Sequence, residues 1–533
     1  MRDNYDYIVV GAGSSGAVVA SRLSEDPAVT VALIEAGPTD VDKPEILNLA
    51  EWPGLLESGY DWDYPIEPQE KGNSHMRHAR AKVLGGCSSH NSCIAFHTPA
   101  QDLDHWVSLG ASGWDSETVL PLIKRLENND REGEHHGHDG PVRLRSVPHE
   151  DPVGAAIIEA CGQQGLPNTP FNEGATVNHG ADWFQINATD ENVRSSSSVS
   201  YLHPVLDREN LDILTDRQVS RVIFSEGQDG TPQAVGIEYL DNPFGRLKTV
   251  TAAREVIISA GAIDSPKLLM LSGIGPTAHL AEVGVETLVD APGVGEHLQD
   301  HPEAVISWES KVPMTRDATQ WWEIGIFDMV DDGGADGLGL PDLMMHYGSM
   351  PFDMHTRRQG YPTADESFCL TPNITHAKGR GTVRLRSCDF RDKPKVDPRY
   401  FTDEDGYDMR IAVEGIKLAR KIVAQPAMAE YAGRELFPGT DVQSDDDIAD
   451  YVSRTHNTVY HPAGTVRMGA TDDPMAPLDP ELRVKGVTGL RVVDASVMPQ
   501  LVAVNPNITC MLIGERAADL IREAGEAPEA PKA

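Results

Sequence analysis

The chain has 533 residues, with 82 acidic against 45 basic side chains and a formal charge of −37. That length predicts two or more packed units. So negative a surface excludes nucleic acid and anionic membrane as partners, because phosphate would be repelled over most of it, and it is compatible with a cationic substrate, with high-salt solubility or with plain acidic hydration.

The first predicted element is a strand, Tyr5 to Val10, followed by the turn Gly11-Ala-Gly13-Ser14-Ser-Gly16, a helix over Ala17–Leu23 and a second strand from Val29 to Glu35. This βαβ unit is the setting a G-x-G-x-x-G motif needs to bind a dinucleotide. Gly11 permits the tight turn, Gly13 lets the backbone approach a pyrophosphate, and Gly16 lets the helix pack on the strand. The helix N-terminus, with Ser14 beside it, offers free N–H groups to the phosphates. Glu35 closes the second strand, where a carboxylate reaches ribose hydroxyls. The motif alone does not separate FAD from NAD.

Further on, apolar runs at Leu211–Leu214, Arg221–Phe224, Ala234–Tyr239 and Glu255–Ser259 predict a β-meander ending in a buried strand. A helix is expected over Ser265–Leu271, with Pro266 at its first position and Gly273 just past its end. From about Pro302 to Thr455 the texture changes to aromatic and Met-rich stretches, with strand signals at Gly381–Arg386, and predicts a second, substrate-facing unit. The Gly- and Asp-rich piece Asp331–Leu338 is expected to be an exposed loop. Strand and helix patterning returns at Leu490–Val493 and Ile508–Ala524, and the tail 523–533 is expected to fray.

Some classes find no support. The six cysteines are scattered without a C-x-x-C, which disfavours zinc and thioredoxin-like chemistry. The cluster His135-His136-Gly-His138-Asp139 lacks helical spacing and a fourth ligand, so it is expected to be solvent-exposed and no metal is predicted. No apolar run reaches the length of a membrane span. A strand starting at Tyr5 predicts no signal or transit segment and a cytoplasmic protein.

Four ordered segments go further: Ala81-Lys-Val-Leu-Gly85-Gly86-Cys87-Ser88-Ser89-His90-Asn91-Ser92; Gly261-Ala-Ile-Asp-Ser265-Pro266 through Gly275; Val294-Gly-Glu-His-Leu-Gln-Asp300-His301; and Val493-Asp494-Ala-Ser496 with Asn505-Pro506-Asn507. With these the chain resembles the glucose–methanol–choline (GMC) family of flavin oxidoreductases. The resemblance implies an α/β fold with an α+β second unit: a discontinuous Rossmann-like FAD-binding domain over 1–150, 192–302 and 459–533, interleaved with a substrate-binding domain built on an antiparallel sheet over 151–191 and 303–458. It implies FAD, held also by Gly86, Asn91, Ser92, Asp494 and Asn505.

The stretches Leu56 to Pro65, Thr319 to Gly325, Met344 to Gly348 and His456 to Pro462 most resemble the family's choline-oxidising members. In those a histidine at the place of His90 is bonded covalently to the flavin. Alcohol oxidation by a flavin needs a proton acceptor, stabilisation of the alkoxide, and a carbon–hydrogen bond held against the acceptor. The resemblance assigns the first two to His461 and Asn505, with His346 as a further alkoxide ligand, Ser92 near the reacting centre, and Val459 on the flavin face.

A trimethylammonium group cannot be hydrogen-bonded and needs aromatic faces and a carboxylate; Glu303 matches the carboxylate, and Trp52, Trp322 and Phe352 match the wall. Choline would be oxidised through betaine aldehyde to glycine betaine, with O₂ reduced to hydrogen peroxide, by a homodimer. A dehydrogenase using another acceptor, an oxidase of another alcohol, and a flavin-binding protein without turnover stay open at this point.

Overall fold

The computed structural model describes residues 2–148, 151–227, 229–314 and 319–526. Strand Asn4–Val10 is buried without interruption from Tyr7 to Val10, as an apolar run must be when both faces of a parallel sheet are covered. It pairs in parallel with Val31–Ile34 on one side and Leu247–Ile258 on the other. The long strand Leu247–Ile258 serves two partners. Its first half pairs antiparallel with Pro232–Leu240, and its last three residues pair in parallel with Leu490–Val492. The C-terminal strand thereby reaches the centre of the N-terminal sheet.

Two helices lie against each other over this sheet. A Cβ on Gly16 would stand 2.0 Å from the Gly11 carbonyl oxygen, so only glycine lets helix Gly16–Leu23 sit this close to the turn. The C-terminal helix Asn507–Glu526 packs alongside it, tied by the Ser15 hydroxyl to the Cys510 carbonyl at 2.6 Å and by Arg22 to the buried Glu515 at 2.8 Å.

Two expected elements differ. Leu211–Leu214 is not part of the meander; it crosses to the opposite edge and pairs in parallel with Val31–Ile34. Only Val219–Glu226, Pro232–Leu240 and Leu247–Ile258 run antiparallel in sequence. The next helix starts at Gly261, with Pro266 inside it. Proline lacks the N–H that would bond to Ala262, and the Thr465 hydroxyl supplies that carbonyl's partner at 2.6 Å.

The second sheet has eight strands in all. Six follow the order Ala432–Phe437, Ile306–Ser310, Ser367–Ile374, Leu343–Gly348, Trp322–Asp328, Gly180–Trp183, with Pro302–Glu303 and Asn457–Thr458 added at the side. Every pairing in it is antiparallel. The Gly/Asp-rich loop is anchored rather than free: Ala335 and Leu340 are buried against Ala503, while Asp332 and Gly333 stay exposed. The C-terminal helix continues to Glu526; the rest of the tail expected to fray, 527–533, lies outside the described residues.

Candidate active site

Two cavities share a wall formed by Ser14, Arg80, Cys87, Pro462, Ala495 and Cys510. The first is floored by the glycine turn, with Gly11, Gly13, Ser14, Glu35, Gly86 and Asp494 on its lining. Gly86 has φ +54 and a Cβ there would fall 2.6 Å from the Gly13 Cα, so the two loops touch backbone to backbone. Gly16 stands behind this surface. Glu35 already accepts the Ala12 and Gly37 N–H groups at 2.9 and 2.8 Å, and burial pushes its carboxyl up to about 7. Asp494 accepts the Gly261 N–H at 2.9 Å and the Ser265 hydroxyl at 2.5 Å, which fastens the C-terminal segment to the start of helix Gly261–Leu271.

The second cavity brings together residues spread over more than four hundred positions: Trp52, His90, Asn91, Ser92, Glu303, Trp322, His346, Phe352, Val459, His461 and Asn505 all line it. Trp322 meets Phe352 edge to face at 5.1 Å between ring centres. The Trp52 indole N–H is held by the Gln320 carbonyl at 2.8 Å. These are rigid apolar walls. Tyr460, which the sequence did not single out, joins the lining with a left-handed backbone, φ +63, as residues at functional sites often have.

His461 is placed by a network invisible along the chain. Asp300 accepts its backbone N–H at 2.9 Å, and the other Asp300 oxygen accepts the Tyr400 and Thr458 hydroxyls, each at 2.5 Å. Burial would raise the Asp300 carboxyl, but nearby His78 and those hydroxyls outweigh it and hold the group below its ordinary value. His301 Nδ1 lies 2.9 Å from His461 Nδ1. With His461 as the donor of that bond, its Nε2 keeps a lone pair for a ligand. Burial, His301 and His346 hold His461 well below the usual imidazole range, and burial takes His346 down to about 4. Both are neutral bases at pH 7. Asn505 Nδ2 stands 3.5 Å from His346 Nε2, and its buried Oδ1 has no partner among the described residues.

Glu303 adds an acidic group to the same lining. It is buried, and burial pushes its carboxyl up to about 8, against the Asn457 amide, which donates to Oε1 at 3.0 Å. An unpaired carboxylate in such a place is costly, and a cation beside it would repay ionisation.

A model of the GMC oxidoreductase family matches residues 5–303, and its C-terminal counterpart matches residues 377–514. The chain belongs to the GMC oxidoreductase family. It is 63% identical over 524 residues to the choline oxidase of Arthrobacter globiformis, covering 98% of this chain and 94% of that one. It is 37% identical over 550 residues to the mitochondrial choline dehydrogenase of Homo sapiens, covering 98% and 90%. The solved pyridoxine 4-oxidase from Mesorbium loti superposes with a TM-score of 0.86 at 32% identity, covering 97% of this chain and 99% of that one.

GMC oxidoreductases bind FAD, and the joined cavities fit an elongated dinucleotide. On the lining of the second cavity, both ring nitrogens of buried His90 lack a hydrogen-bond partner among the described residues. Burial, with Arg80 and Arg194 nearby, takes this imidazole down to about 3. A neutral, unpartnered nitrogen is available to a bound ring system.

The tandem histidines differ from expectation. His135 and His138 are exposed, but His136 turns inward to a buried trio with His97 and Glu127 whose ligand-type atoms lie within 4.8 Å of one another. Asn129 Oδ1 accepts from Arg131 and Gln185, so its NH₂ faces His136 Nδ1 at 3.1 Å. His97 meets Glu127 at 2.8 Å. Hydrogen bonds from Asn129 and with Glu127 engage one nitrogen of each imidazole, and the buried His136 Nε2 has no hydrogen-bond partner among the described residues. Nothing in the His-x-Gly spacing reveals His97, some forty residues upstream.

Proposed function

We propose that the chain is an FAD-dependent alcohol oxidase that converts choline through betaine aldehyde to glycine betaine, with O₂ reduced to hydrogen peroxide. The observation that carries this reading is a single cavity lined by neutral His461 and His346 with Asn505, and by buried Glu303 with Trp52, Trp322 and Phe352. The 63% identity to a choline oxidase over nearly the full chain supports the substrate.

In this reading Glu303 and the aromatic wall hold the trimethylammonium group. In that pose the hydroxyl faces the histidines. His461 Nε2 takes the hydroxyl proton, while His346 and the Asn505 amide steady the developing alkoxide. Ser92 and Val459 border the reacting carbon, and Val459 is fixed by its N–H to the His301 carbonyl at 3.0 Å. FAD, when bound, would supply the hydride acceptor for the carbon and the two-electron route to O₂. Its pyrophosphate and ribose fall to Gly11, Gly13, Ser14 and Glu35, with Gly86, Asn91 and Asp494 alongside, and His90 is the attachment point for a covalent bond. The hydrated aldehyde presents a hydroxyl to the same groups, so one site serves both oxidations. A cytoplasmic homodimer completes the proposal; among the described residues no helix is long and apolar enough to cross a membrane.

The test is aerobic peroxide formation by the purified protein with choline, betaine aldehyde and 3,3-dimethyl-1-butanol, the neutral isostere of choline. Peroxide from the first two, with the third much poorer, supports the reading. Reduction of an artificial dye without peroxide would make the protein a dehydrogenase, and preference for the neutral alcohol would overturn the cation pocket.

A further inference from the structure

Glu303 is reached from behind by a short chain of side chains that do not line the cavity. Asn457 lies in the strand paired with Pro302–Glu303, directly across from Glu303 in register, so its backbone is fixed there. The free variable is the orientation of its amide. Nδ2 donates to Glu303 Oε1 at 3.0 Å, and Oδ1 lies 3.2 Å from His355 Nε2. A carbonyl oxygen can only accept, so His355 must carry its proton on Nε2. Its Nδ1 is buried without a partner among the described residues, so nothing there competes for the proton. Turning the Asn457 amide over would set its oxygen against the Glu303 carboxylate, so the ionised Glu303 requires the NH₂ on its own side and the oxygen toward the His355 N–H.

We infer that His355 is a specificity-determining positioning residue: by donating to Asn457 Oδ1 it keeps the Asn457 NH₂ on Glu303 and so sustains the carboxylate that a cationic alcohol requires. The inference rests on the proposed pairing of Glu303 with the substrate's ammonium group. His355 sits three residues after Phe352, so the same bond fastens the segment bearing that aromatic wall to the strand beside Glu303. A second tie in this segment, from the Tyr460 hydroxyl to Met354 Sδ at 3.9 Å, does not depend on it. Charge support and wall support are separable by substrate, because a neutral alcohol of the same shape feels only the wall.

The experiment compares the flavin-loaded wild type with His355→Leu, His355→Phe and His355→Gln, measuring kcat and KM for choline and for 3,3-dimethyl-1-butanol. Losing a hydrogen bond that supports a charged group predicts an increase of about tenfold in KM for choline in the Leu and Phe variants. kcat should stay within about twofold, and KM for the neutral alcohol, which feels only the wall, should rise far less than KM for choline. The Gln variant keeps an N–H donor and should return KM to within about threefold of wild type. Phe retains the ring's bulk, so it reports even if Leu does not fold. Equal changes for both alcohols, no change for choline, or no rescue by Gln would overturn the role of His355. A wild type that does not prefer choline would instead overturn the Glu303 pairing, and this inference with it.

Discussion

Replacing Glu303 with Gln isolates the charge on which the substrate reading depends. Gln has the same shape and keeps an oxygen for the Asn457 amide, now at 3.0 Å from Oε1, so packing is preserved. At about 5 Å and an effective dielectric near 20, a carboxylate and an ammonium attract by about 3 kcal/mol, or roughly a hundredfold in affinity. The wild-type value must also depend on pH with a defined sign. Burial raises Glu303 to about 8; below that pH the carboxyl holds its proton, and binding a cation must release it. Affinity for choline therefore rises by about tenfold per pH unit up to about 8 and levels off above it. The Gln variant has no proton to lose and should be flat. Initial rates of oxygen consumption between pH 5.5 and 9, with choline and with 3,3-dimethyl-1-butanol, measure both effects. KM for choline at pH 9 within about threefold of wild type in Glu303→Gln, or a wild-type KM independent of pH, would refute the reasoning.

Three other perturbations address other parts of the molecule. His90→Ala should release all flavin into the supernatant on acid precipitation, whereas the wild-type pellet should stay yellow; flavin released from both would exclude the covalent bond. Asp300→Asn puts an NH₂ against either the His461 N–H or the Tyr400 and Thr458 hydroxyls. A displaced base predicts a fall in kcat of about a hundredfold with KM for choline little changed, and steady-state kinetics would expose the opposite split. Gly16→Ala forces a Cβ to 2.0 Å from the Gly11 oxygen, and urea unfolding should show a loss of about 3 kcal/mol together with lower FAD incorporation; unchanged stability would mean that the turn can relax.

Much of the site was legible because its chemistry is written in short segments. The glycine turn specifies a local backbone path, and the segment from Ala81 to Ser92 carries Gly86, His90 and Ser92 within a few residues of one another. The strand predicted at Tyr5 to Val10 was likewise readable, since the continuous apolar run Tyr7–Val10 has one stable use in a covered sheet. Leu211–Leu214 was misplaced because four residues of strand carry no information about which edge they will join. The inward turn of His136 depends on Glu127 and His97, and the buried side of the loop around Ala335 depends on Ala503; neither partner is a neighbour in sequence.

The sequence by itself determined the family, the dinucleotide motif and the residue types that meet in the cavity. The tertiary structure alone decided how they are aimed: His301 against His461, Asp300 beneath it, and Asn457 between Glu303 and His355. These contacts depend on the direction of individual side chains across strands separated by more than a hundred residues in several cases. Hydrogen bonds and buried charge are sensitive to differences of less than an ångström, and no local pattern of residues records that.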